Sequence, residues 1–305
     1  MDVGRSLAGT SRRTGFAVVA GTYLLAGAAA GITALALSGH HPLTITFWAD
    51  LVATLVVFAV SVAVGNASLY DPYWSVAPAV IVVAWATPGH RVREMLVLGL
   101  VLLWAVRLTV NWARSWRGLG HEDWRYVQIR AETRGRLPWW LVNLTGIQLM
   151  PTLVVFAGLL AAWPAVAGTR PLGPLDLAAA IVTLGAITIE SVADRQLYRF
   201  AGDPANRGRV LEQGLWRYSR HPNYLGEITF WWGLWLFGLA GAPGWWWTVA
   251  GPVAMVLLFA VVSVPLMDRR SLERRPAYAD RMRRVPALVP LPRRGRAAEL
   301  DGTRR

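Results

Sequence analysis

Apolar residues run along this chain in long, nearly unbroken stretches, cut by short segments where arginine, proline and glycine collect. A helix needs about twenty apolar residues to cross a bilayer. On that measure the stretches near Phe16–Leu37, Phe47–Val64, Trp74–Ala86, Met95–Ala113, Trp140–Ala162, Leu175–Ala193, Tyr224–Ala240 and Trp245–Leu266 predict eight spans. The third is short, and without it the count is seven. The expected architecture is an all-α, polytopic transmembrane helical bundle. Residues 1–70 form an N-terminal hairpin, 71–290 the main membrane domain, and 291–305 a disordered basic tail without apolar periodicity. The first stretch follows Arg5, Arg12 and Arg13 as a secretory signal would, but it is too long for one and reads as a retained helix. Glycines spaced as Gly27 and Gly31 suggest close helix packing.

Charge fixes an orientation. The net charge of +13 would suit nucleic acid, yet the cations sit in short loops between apolar stretches, so nucleic acid is excluded as a partner. With eight spans, 27 of the 31 arginines fall on the side of the termini, which places both termini in the cytoplasm. Arg91, Arg93 and Arg170 fall on the other side, and Arg107 lies inside a span. There is no lysine, so every cation is a permanent, forked donor suited to phosphate or carboxylate. The absence of cysteine rules out disulfides, thiolate metal sites and a cysteine nucleophile. Of five histidines, His40, His41 and His90 fall outside, leaving His121 and His221, too few for a metal centre. None of the soluble nucleotide-binding, zinc-protease or serine-hydrolase motifs occurs.

The remaining polar residues recur at helical spacing. Arg107, Asn111 and Arg114 share one face of the fourth span, and Glu190, Asp194 and Tyr198 one face at the end of the sixth. Pro222 suits the first position of the seventh helix, with Asn223 and Glu227 four residues apart just inside it. The unpaired N–H groups of that first turn, beside Arg217 and Arg220, would hold phosphate or pyrophosphate. Asp71-Pro72-Tyr73 precedes the third span. Together these predict a cavity open to the cytosol; an ion-pair clamp between helices, or a purely structural polar core, accounts for the same stripes. Most of the seventeen tryptophans sit at span ends, where they anchor at the interface.

The block "GLWRYSRHPNYLGE" (214–227), with "DPYW" from Asp71, "RLTVNWARSWRGLGHEDWRY" from Arg107 and "IESVADRQLYRF" from Ile189, resembles the bacterial membrane-protein branch of the steroid 5-alpha-reductase-like family. The resemblance runs from about Asp71 to Pro290. It implies a protein of the bacterial inner membrane that binds NADPH from the cytosol and reduces a conjugated carbon–carbon double bond in a lipophilic, steroid- or isoprenoid-like enone. Membrane lipids are then its surroundings, and no protein partner is implied. By position, Asn223 and Glu227 match the nicotinamide end, Asp194 a nucleotide-contacting aspartate and Arg107 the intramembrane arginine. The implied cofactor set further includes Asn111, Arg114, Arg209, Arg217, Tyr218, Arg220, His221 and Tyr224. The chain departs from the steroid-reducing pattern at Glu190, Ala201 and Gly208, where that pattern has asparagine, arginine and tyrosine. The family's ketone-polarising pair has no clear copy; Asp71 and Tyr73 stand in for it, with Glu227 as the third catalytic candidate. The core R-H-P-x-Y-x-G is also similar to that of isoprenylcysteine carboxyl methyltransferases, as are Glu273 and Tyr278. An S-adenosylmethionine-dependent methyltransferase of a membrane substrate is therefore the alternative, and a non-catalytic membrane protein the third reading.

Overall fold

The computed structural model describes residues 11–86 and 91–289. The expected tail 291–305, Arg5 and His90 lie outside the described residues. Each predicted apolar stretch is helical, and no strand occurs among the described residues. The helices are α1 (Arg12–Ala36), α2 (Pro42–Val64), α3 (Tyr73–Trp85), α4 (Val92–Ser115), α5 (Trp124–Thr133), α6 (Trp139–Ala167), α7 (Pro174–Gly202), α8 (Pro222–Gly241), α9 (Pro243–Arg274) and α10 (Tyr278–Arg284).

Six of them, α1, α2, α4, α6, α7 and α9, are long and apolar enough to cross a membrane, as an integral membrane protein requires. The two other predicted spans differ for separate reasons. With thirteen residues α3 is only about 20 Å long, short of a hydrocarbon core of about 30 Å. The twenty-residue α8 has the length, but its polar first turn and tryptophans lower its hydropathy.

Two compact units divide the chain, Met1–Ala180 with Gly233–Met255, and Ile181–Trp232 with Val256–Arg305. In the first, α1 packs along α2, which Gly65 ends in a left-handed conformation (φ 73°) open to glycine without strain. A 3₁₀ turn, Ala67–Tyr70, leads to α3. The fused helix α6 widens to π geometry over Asn143–Leu149.

Contrary to expectation, Gly27 and Gly31 do not mark a tight helix contact: a Cβ on either would meet open space. Close approach occurs elsewhere. In the first unit a Cβ at Gly238 or Gly251 would collide with the carbonyl of Ala161 or Ala157. In the second, Gly226 of α8 lies against the backbone of Ala186 and Glu190 on α7. Small residues decide how near two helix backbones come only where a partner helix is present.

Candidate functional site

The block 214–227 belongs to the second unit, and its conformation follows from its residues. Gly214 takes a left-handed conformation (φ 58°) hard against the Gln196 amide, whose Oε1 accepts from Leu215 N at 3.0 Å. One 3₁₀ turn, Gly214–Arg217, follows, and the Trp216 indole donates to the Ala193 carbonyl at 3.0 Å. The chain then runs extended beside residues 286–287: the N–H groups of Arg220 and His221 donate to the carbonyls of Pro286 and Ala287, each at 3.0 Å. Pro222 opens α8.

Asp268, near the end of α9 and buried, gathers the charged residues of this block. Its Oδ1 accepts from His221 Nε2 at 2.9 Å and from the Tyr278 hydroxyl at 2.8 Å, and its Oδ2 from Arg220 Nη2 at 2.7 Å. Arg220, expected at a phosphate, instead closes this cluster: Nη1 donates to the carbonyls of Val285 (2.7 Å) and Met282 (3.1 Å). A buried carboxylate needs compensating donors, and Arg220 and His221 supply them. Arg281, fully buried, donates to the carbonyls of Trp216 and Ser219. Burial lowers its pKa, while burial and the neighbouring Asp268 raise that of the Tyr278 phenol. Glu273 is exposed and pairs with Arg269 at 3.0 Å.

The other expected residues of this unit fall into two groups. Arg209, Arg217 and Tyr218 are exposed, with the Arg217 guanidinium 5.9 Å from the Tyr218 ring. Asn223, Tyr224 and Glu227 turn inward. Tyr224 stacks on His221 with ring centroids 5.3 Å apart and meets Phe259 at 4.8 Å. Glu227, 4% exposed, accepts from the Trp231 indole at 3.0 Å, whereas the buried Asn223 Oδ1 accepts no hydrogen bond. On α7, Glu190 is buried, Asp194 half-buried and Tyr198 exposed, so this stripe loses burial toward the helix end. Just beyond lies a cavity of about 300 Å³, with Leu197, Phe200 and Leu211 as apolar wall and Asn206, Arg207 and Arg275 as polar rim. Its one acid, Asp203, is occupied by Ala205 N and the Asn206 amide.

In the first unit Arg107 is half-buried on α4, and Asn111 and Arg114 are exposed one and two turns on. Asp71 and Tyr73, expected to act together, turn to different partners. The Tyr126 hydroxyl donates to Asp71 at 2.5 Å, and Arg125 lies 3.5 Å away. Burial raises the Asp71 carboxyl to about 6 against the opposing pull of Arg125. The Tyr73 hydroxyl donates to Asp50 Oδ1 on α2 at 2.7 Å, inside the helix packing, where both residues are buried. The physical reason is rotation: two residues apart at the start of a helix, side chains diverge by about 200°.

Asp50 escaped the reading of the sequence, although a single carboxylate within the stretch Phe47–Val64 is signal enough. Below it on the same face of α2 come Thr54 and Ser61. Thr54 meets Thr152 of α6 at 3.1 Å, Thr152 meets the Tyr70 hydroxyl at 2.8 Å, and Ser61 accepts from the amides of Gln148 (2.9 Å) and Asn143 (3.2 Å). Among the described residues no group of three His, Cys, Asp or Glu side chains could hold a metal ion.

An integral membrane protein with a carboxyl–phenol pair inside its apolar helices, and a separate arginine-rich loop cluster, is the class defined by these features. The chain belongs to the DUF1295 family, described as a protein of unknown function, which matches residues 57–285 and includes steroid 5-alpha-reductase-like proteins. It is also similar to an uncharacterized protein of Schizosaccharomyces pombe, 27% identical over 280 residues that cover 82% of this chain and 80% of that one. No solved structure matches.

Proposed function

We propose that this chain is a membrane-embedded, NADPH-dependent reductase of the conjugated double bond in a lipophilic enone, and that Tyr73, held by Asp50, is its acid. The observation that carries this reading is the buried Asp50–Tyr73 hydrogen bond of 2.7 Å. An ionisable pair among apolar helices is costly to keep, and such residues mark chemistry or transport more often than packing. A carboxyl in contact with a phenol gives what an enone requires: with a proton on Asp50 the pair carries two O–H groups, one shared between them and one free for the carbonyl oxygen, where negative charge builds up as the β carbon is reduced. The surrounding apolar helices exclude water and so strengthen that hydrogen bond.

Two observations in the second unit fit the cofactor. The unsatisfied acceptor at Asn223 Oδ1 calls for an N–H donor such as a carboxamide. The exposed Arg209 and Arg217, with the cavity beside Arg207 and Asn206, suit the phosphates and one nucleoside part of a dinucleotide. When bound, NADPH supplies the hydride. Arg220 and His221 then serve as positioning residues that fix the loop through Asp268.

The test is calorimetry of NADPH and of S-adenosylmethionine on the purified protein, followed by NADPH oxidation with a panel of lipophilic enones. Saturable NADPH binding and enone reduction lost in Tyr73→Phe are expected. Stabilisation by S-adenosylmethionine alone, or a Tyr73→Phe protein as active as the parent, overturns the reading.

A further inference from the structure

In the first unit the start of α1 meets the end of α4, and arginines gather there that the proposed reaction does not use. Arg12, the first residue of α1, lies with its backbone against Gly118: a Cβ on that glycine would stand 3.6 Å from the Arg12 Cα. The Arg12 guanidinium donates to the carbonyls of Ala113 (2.5 Å) and Arg114 (3.4 Å), and it lies 5.4 Å from the Phe16 ring. It thereby satisfies carbonyls that the last turn of α4 leaves open. Phe16 in turn meets Trp112 at 5.8 Å and Trp116 at 4.9 Å, and the two indoles stack at 5.2 Å. This packing requires Gly15, whose Cβ would stand 2.7 Å from the Trp116 ring. The arginines of the joint are therefore held at a fixed place.

Three of them have no task in the fold. Arg13, Arg114 and Arg117 are exposed and, among the described residues, take part in no hydrogen bond or ion pair. The carboxylates next along the chain are spent elsewhere, Glu122 on Ala67 N and Arg130, Asp123 on Arg125. The cations therefore repel one another without a counter-ion of the protein's own. Their surroundings supply one. Both α1 and α4 are long and apolar enough to span, so their joint lies where hydrocarbon gives way to headgroups. The anion abundant at that level is a lipid phosphodiester, and a guanidinium fork binds phosphate through paired N–H groups. The same face of α4 also has a path for acyl chains. Leu103, Val106 and Val110 are exposed and, at helical spacing, lead straight to Arg114.

We infer that Arg13, Arg114 and Arg117 form a binding site for the headgroup of an anionic phospholipid, framed by the Arg12 joint. The phosphodiester sits among the three guanidiniums, and an acyl chain runs down the stripe Val110–Val106–Leu103. This assignment does not depend on the reductase reading, and it fits a phospholipid better than free phosphate because headgroup and chain meet adjoining surfaces of one helix.

Spin-labelled lipids test the site on the full chain in phosphatidylcholine vesicles. The fraction of label held immobile by the protein gives the association of phosphatidylglycerol relative to phosphatidylcholine. A preference for phosphatidylglycerol of about fivefold or more is expected, smaller at high salt. Replacing Arg13, Arg114 and Arg117 together by glutamine should remove most of it. A control that takes the same charge from the exposed Arg195, Arg199 and Arg274 should keep it. No preference in the parent, an unchanged preference in the folded Arg13→Gln, Arg114→Gln, Arg117→Gln protein, or an equal loss in the control overturns the site. Saturating NADPH that abolishes the preference also overturns it, since the arginines would then belong to the nucleotide. If the triple variant does not fold, Arg13→Gln with Arg117→Gln answers by the same criteria.

Discussion

The loop block 214–227 and the inner face of α2 are both rich in polar groups, and they reach satisfaction by opposite routes. In the block the polar residues are close together in sequence and are tied down by a C-terminal segment: Asp268 holds Arg220, His221 and Tyr278, and the carbonyls of 282–287 take up what remains. Along α2 the polar residues are single and far apart in an apolar helix, and each is met by a residue from another helix or turn: Asp50 by Tyr73, Thr54 by Thr152, Ser61 by Gln148. A dense motif can thus be largely scaffold, while sparse polar residues in an apolar helix can carry the reactive group. Density of polar residues measures how much a loop must be held together; isolation in a helix measures how much is spent to keep one group there.

Changes at the two regions should therefore separate stability from activity. The largest effect is expected for Asp268→Ala, which strands the Arg220 guanidinium, the His221 ring and the Tyr278 phenol without their shared acceptor. A loss of about 3–5 kcal/mol should appear as a lower thermal midpoint in detergent, and a smaller one for Asp268→Asn. Tyr73→Phe belongs to the other region and should behave in reverse: enone reduction falls about 100-fold or more while the thermal midpoint stays within a few degrees. A Tyr73→Phe protein that loses stability as Asp268→Ala does would erase the contrast.

A third expectation concerns pH. The folded Asp71 carboxyl is raised to about 6, above the unfolded value of about 3.9, so the folded state holds the proton more tightly between them. The unfolding free energy should then fall as pH rises from about 4 to about 6, by roughly 2–3 kcal/mol, and Asp71→Asn should flatten that slope in denaturant titrations. The smallest effect is expected at the loop surface. Arg217→Ala should weaken NADPH binding several-fold at low salt and less at high salt, without altering the thermal midpoint.

Much of the molecule was legible before its structure. The apolar stretches placed eight of the ten helices, because twenty apolar residues have few alternatives in water or lipid, but α7 and α9 run eight or nine residues beyond their stretches and the polar α5 and α10 had none. Helical spacing likewise put Asn223 and Glu227 on one turn of α8 and exposed Asn111 and Arg114 near the end of α4. Partnership was not legible. Asp71 and Tyr73 are neighbours in the chain, yet one turns to Tyr126 and the other to Asp50. Arg220, beside a helix start and rich in donors, spends them on Asp268, forty-eight residues on. Gly27 and Gly31 had the spacing of a contact and no helix to meet.

By itself, then, the amino-acid order determined what is local: helix or loop, apolar or polar face, the arginine-rich segments, and the exclusion of thiol chemistry. Only the tertiary structure decided which polar groups meet, and so that the carboxyl–phenol pair is Asp50 with Tyr73. The reason is that periodicity is set by neighbours along the chain, whereas a side-chain hydrogen bond depends on a few tenths of an ångström between segments whose separation in sequence carries no trace of it.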